Sequence, residues 1–138
     1  MSWANSLIRL STYEVEVLQK RLAEITERRA HAEMRLAVLF AEGEAETARA
    51  REDAQAGWYL VGFKQGLALR MAVIESEIQG INLEEAGARE ALGLAFEDQK
   101  KYEQVAEGIR LVRNKEEARR ETAAMDELGL RRASATGR

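Results

Sequence analysis

The sequence predicts an all-α fold: an antiparallel two-helix coiled-coil hairpin, extended into an elongated rod. Three observations predict it. The chain of 138 residues has no proline, is 33% charged and only 6% aromatic, a composition of long helix rather than of a globule with a thick core. Apolar residues recur at alternating steps of three and four over two separate stretches, the 3.5-residue period of a coiled-coil seam. Between those stretches, "AGWYLVGFKQG" (56–66) holds three of the eight aromatic residues and three of the ten glycines, and breaks the phase. A compact three- or four-helix bundle is the alternative, but alanine inflates the apolar fraction of 46%.

The first seam runs through Val15, Leu18, Leu22, Ile25, Arg29, Ala32, Leu36, Leu39, Gly43, Glu46 and Ala50. It predicts helix one over about residues 4–56. Glycine is costly inside a helix and tolerates the left-handed conformation that ends one, so the chain is expected to reverse at about 57–62. The second seam starts at Leu67 and continues through Met71, Ile74, Ile78, Ile81, Glu85, Ala88, Leu92, Ala95, Gln99, Tyr102, Ala106 and Ile109. It predicts helix two over about 63–128. A break inside it at "QGINLEEA" is conceivable, with Asn82 as cap and Glu85 three residues on. The seam stays in phase there, which favours continuous helix. Residues 1–128 thus form a single hairpin, and the closing "GLRRASATGR" (129–138) reads as a disordered tail after Gly129.

Antiparallel partners have position numbers with a constant sum. A sum of 117 sets Ile25 against Leu92, Leu36 against Ile81, Leu39 against Ile78 and Ile8 against Ile109. It also brings the two charged seam residues, Arg29 and Glu85, into adjacent layers where they can pair. A paired charge in a seam is tolerated and helps specify register; a lone one is costly. A sum of 124 would place Glu85 against Leu39, so 117 is preferred. Near the turn, helix one is mostly alanine (Ala41, Ala45, Ala48, Ala50, Ala54, Ala56) and faces Leu67 and Met71. At the other end, helix two continues beyond anything that helix one can cover.

Composition excludes several functions. Net charge is −3 with both signs interleaved, so there is no basic face for nucleic acid. The absence of cysteine removes disulfides and thiol chemistry. His31, the sole histidine, cannot build a zinc site of the usual kinds and reads as a solvated surface residue. Glu42, Glu44 and Glu46 lack the pocket that acid–base work requires. "GFKQG" has neither the spacing nor the hydroxyl of a phosphate loop. No enzymatic activity and no cofactor or metal are expected. No apolar run reaches the roughly 18 residues of a membrane span, and "MSWANSLIRL" lacks the pattern of a secretory signal. A cytoplasmic protein, monomeric in isolation, is the expectation.

What remains is surface. Phe40 and Phe63 stand beside the seam, and Trp58 and Tyr59 fall in the turn. They either seal the hairpin end or, since two helices bury little aromatic surface, meet a partner. Along helix two, Met71 to Asp98 carries seven acidic residues and one basic, Arg89, and the balance turns basic from Lys100 to Arg120. An uncovered basic helix end suits an acidic ring or groove, although a solvated face is the simpler reading.

With these residues laid out, the sequence resembles the FliJ family of flagellar export proteins. The likeness rests on "SLIRLSTYEVEVLQKRLAEI", the turn, "GLALRMAVIESEI", "KKYEQVAE" and "RRETAAMDELGLRR", in that order over most of the chain. The usual Glu-Gln-Lys run of the tail is replaced here by Glu121, Thr122 and Ala123. The resemblance implies a component of flagellar type III protein export that is the central stalk of the hexameric export ATPase. It also implies binding to the cytoplasmic domain of the membrane export gate and to export chaperones, with peripheral association at the inner membrane. On that basis Phe40, Trp58, Tyr59, Phe63 and Leu67 would meet the gate. Lys100, Lys101, Arg110, Arg113, Lys115, Arg119 and Arg120 would enter the ATPase ring. The stalk of a virulence-type injectisome and a generic structural coiled coil are the alternatives.

Overall fold

The computed structural model of the chain describes residues 3–53 and 55–136, Ala56 by its backbone alone. Two long helices account for nearly all of it: α1 (Trp3–Glu52) and α2 (Leu60–Thr136), joined through a short 3-10 helix, Ala56–Tyr59. Helix α1 closes with Arg49 and Arg51 in its last turn, where cations suit the carbonyl end of the helix dipole. The Asp53 N–H donates to the Arg49 carbonyl at 3.1 Å, and the Asp53 carboxylate accepts the Gln55 N–H at 3.0 Å. An aspartate turn followed directly by the 3-10 segment reverses the chain.

The turn therefore lies earlier than the glycines suggest. The sequence predicts helix one to 56 and a turn over 57–62, whereas α1 ends at Glu52 and α2 begins at Leu60. The reason is that no described residue adopts a positive φ, so Gly57 and Gly62 are not used for the left-handed conformation that motivated the expectation. Helix α2 is continuous through Gly80 and Asn82. It also continues past Leu128 and through Gly129 to Thr136, a correction to the expected tail over 129–138. One glycine costs about 1 kcal/mol in a helix, and the strong helix formers around it, with an Arg131–Glu127 pair at 3.0 Å, offset that. Gly137 and Arg138, like Ala54, lie outside the described residues.

The chain divides into two compact units, Glu14–Leu94 and Met1–Tyr13 with Ala95–Arg138. The first is an antiparallel hairpin with Ile25, Ala32, Ile74, Ile81 and Ala88 buried in one cluster, flanked by Leu22, Leu36, Leu39 and Ile78. In the second, Ala4, Ser11 and Ala95 are buried, and the Gln99 amide donates to the Thr12 hydroxyl at 3.0 Å. The buried Ser11 hydroxyl is satisfied by the Ile8 carbonyl at 2.9 Å. Every residue of both predicted seams, Val15 to Ala50 and Leu67 to Ile109, is buried or half-buried.

The register differs from the expected sum of 117. Position numbers sum to 112 for the ion pairs Arg28–Glu84 and Arg35–Glu77, and to 114 for Arg29–Glu85. A sum of 113 puts Ile25 level with Ala88 and Ala32 level with Ile81, all four buried in the one cluster. The layers thus alternate large against small, where the sequence reading matched Ile25 with Leu92 and Leu36 with Ile81. Gly43 is packed against the Leu67 side chain: a Cβ there would stand 2.6 Å from Leu67 Cδ2.

Candidate functional site

The first candidate surface is the turn end of the Glu14–Leu94 hairpin. Phe40 lies on the outer side of α1 and is 59% exposed. It borders a shallow groove of about 360 Å³ with Gly43, Thr47, Lys64, Leu67 and Met71. Leu67, one of the expected contact residues, forms the floor and is itself buried, so it shapes the groove and offers little surface. Gly43 opens the groove by leaving out the side chain that would fill it.

The turn aromatics divide. Trp58 is 84% exposed and stands edge-on to Tyr59, the ring centroids 6.3 Å apart. Tyr59 is half-buried, and its hydroxyl donates to the Glu46 carboxylate at 2.7 Å. Glu46 also receives Arg49 at 3.2 Å. The hydrogen bond to Glu46 raises the Tyr59 pKa above its ordinary value, with burial and the charge of Glu46 adding to it. Tyr59 therefore ties the turn to α1, while Trp58 and Phe40 carry the free aromatic surface. Phe63 is half-buried at the start of α2.

The second candidate surface is the distal part of α2. From Leu111 to Thr136 every residue is exposed among the described residues. Lys100, Lys101, Arg113, Lys115, Arg119 and Arg120 are exposed and in no ion pair among the described residues. Arg110 differs: its guanidinium forks onto Glu107 at 2.5 and 3.0 Å. That contact holds the Glu107 carboxyl below its ordinary pKa and raises that of Arg110. Of the seven expected cations, Arg110 is thus already neutralised by a neighbour.

One surface escaped the sequence reading. Met34 and Val38 are exposed on α1, at 68% and 53%, and border a groove with His31, Arg35, Leu39 and Ile74. A signal for it exists: Met34, Val38, Ala41, Ala45 and Ala48 repeat the same three–four spacing two residues out of step with the seam.

Among the described residues no three histidine, cysteine, aspartate or glutamate side chains group as metal ligands, and no helix is long and apolar enough to cross a membrane.

Comparison with known proteins gives a consistent result. The chain is 54% identical over 136 residues to proteins called "Flagellar FliJ protein" from two strains of Caulobacter vibrioides, covering 99% of this chain and 98% of each relative. No protein-family model matches the chain, and no solved structure matches it.

Proposed function

The chain belongs to the FliJ family of flagellar proteins, and from that premise we propose that it serves flagellar protein export as a linking subunit that binds rather than catalyses. In this reading the distal part of α2 enters the hexameric export ATPase as its central stalk. The turn end, through Phe40, Trp58, Tyr59 and Phe63 over the Leu67 floor, meets the cytoplasmic domain of the export gate. Export chaperones are further partners, and the protein works in the cytoplasm against the inner-membrane export apparatus. The observation that carries the reading is the helix from Leu111 to Thr136, every residue of which is exposed among the described residues. Its unpaired cations, Arg113, Lys115, Arg119 and Arg120, suit a lining of opposite charge.

The test is retention of the export ATPase and of the gate's cytoplasmic domain on the immobilised protein. Full-length protein is expected to retain both. A chain ending at Arg110 should lose the ATPase and keep the gate domain. Retention of the ATPase by that shortened chain would place the stalk contact elsewhere.

A further inference from the structure

The Glu14–Leu94 hairpin holds one register and carries marks of a second. Its ion pairs centre the reversal near residues 56 and 57. The glycines point further along. Gly62 and Gly66 sit inside α2 with no positive φ, and a Cβ on either would meet nothing within 4 Å. Gly80, Gly87, Gly93, Gly108 and Gly129 share this, and what sets the first two apart is their place in the opening turns of the helix. Neither tight packing nor a left-handed turn accounts for them, yet glycine weakens a helix interior. A reversal centred at Leu60, between Gly57 and Gly62, would use Gly62 directly and would unwind the helix turn just ahead of Gly66. It would raise the register sum by one heptad, to 120.

The apolar layers permit that step. Ile25, Ala32 and Leu39 on α1, and Ile74, Ile81 and Ala88 on α2, recur at steps of seven. After a one-heptad slip Ala32 comes level with Ala88 and Leu39 with Ile81. On the rim Arg35, now paired with Glu77, comes level with Glu84. The seam charges do not allow it. Arg29 contacts Glu85 across the hairpin and donates to Asn82 at 3.2 Å, while Arg89 donates to Glu85 at 3.2 Å. A slip would set Glu85 level with Leu36 and Arg29 level with Leu92, two charges in apolar layers that have lost each other, with Glu85 keeping only Arg89 of its own helix.

We propose that this hairpin is a two-register device. The Arg29–Glu85 pair holds the observed register, and the glycine-weakened first turns of α2 keep a second within reach one heptad away. The second register extends α1 into the turn, unwinds the start of α2 and moves one helix past the other by about 10 Å at 1.5 Å per residue.

The chain has no cysteine, so introduced pairs report register directly. Ile25→Cys with Ala88→Cys reads the observed register, and Ala32→Cys with Ala88→Cys reads the slipped one. A heptad of displacement carries either pair beyond disulfide reach. In the native background only the first pair should close on oxidation. With Arg29→Leu and Glu85→Leu together, the second pair should become a major intramolecular product, and adding Gly62→Ala and Gly66→Ala should suppress it again. The exchanged pair, Arg29→Glu with Glu85→Arg, should behave as native. The proposal is overturned if the second pair stays open, or closes only between molecules, once both charges are gone. Should the leucine variant lose its helical signal, Arg29→Gln with Glu85→Gln is read by the same standard.

Discussion

Gly43 lies against Leu67 so closely that a single added carbon would stand 2.6 Å from the leucine's Cδ2. Leu67 is buried and cannot swing freely aside. Gly43→Ala gains helix propensity but overfills the seam, and crowding of this kind typically costs 1–3 kcal/mol, about 1 kcal/mol net here. Gly80 in α2 has open space where its Cβ would go, so Gly80→Ala should stabilise by about 0.5–1 kcal/mol. Thermal melts of the two variants should move in opposite directions. A rise in both would mean that Leu67 yields without cost.

The pairing of Arg29 with Glu85 predicts strong coupling. Their side chains are 27% and 15% exposed, so removing one partner strands the other in a mostly dry layer. Glu85→Leu alone should lower Tm more than Arg29→Leu and Glu85→Leu together. A double-mutant cycle measures this, and additive losses would show the two residues act independently.

Acid should loosen the hairpin through Glu84. The Arg28 hydrogen bond, against a smaller opposing effect of burial, lowers the Glu84 pKa from 4.5. For Glu85 burial works upward, but hydrogen bonds and charge from Arg89 and Arg29 prevail, and its pKa is lowered too. A carboxyl with a depressed folded pKa contributes stability above its unfolded value and loses it as pH falls through the folded one. Stability should therefore decline below about pH 4.5, and Glu84→Gln should flatten that decline in urea melts at successive pH values. An unchanged slope in the variant would exclude Glu84 as a contributor.

The aromatics at the turn end separate binding from folding. Phe40 is mostly exposed, so Phe40→Ser should change stability by less than about 0.5 kcal/mol. Phe63 is half-buried, and Phe63→Ser should cost more, on the order of 1–2 kcal/mol. Both should weaken retention of the gate domain while leaving ATPase retention intact. Unfolding by Phe40→Ser would show that this ring is structural.

The seam was legible residue by residue because burial in a two-helix interface follows a single period. From Val15 to Ala50 and from Leu67 to Ile109 no predicted position is exposed. The register was less legible. Heptads repeat, so many offsets bury apolar residues equally, and the choice among them falls to layer volumes such as Ile25 with Ala88 and to where the turn closes. Asp53 and the 3-10 segment, which contains Gly57, closed it ahead of Gly62. Gly129 misled for a related reason: a single unfavourable residue does not end a helix whose neighbours favour it. Leu67 was read as the first residue of the second seam and is buried there, against the small Gly43.

The exposed stretch of α2 changes what a partner has to do. A segment that folds only on docking must be ordered then, at roughly 1–2 kcal/mol of backbone entropy per residue. From Leu111 to Thr136 the backbone is helical and every residue is exposed among the described residues, so its order depends mainly on local propensity. Affinity for whatever encloses it should then respond to substitutions that touch nothing. Ala118→Gly should weaken capture and Gly129→Ala should strengthen it, each in proportion to the helicity measured in the free protein. In the proposed stalk role, the binding strength of the distal helix would be tuned by its own stiffness.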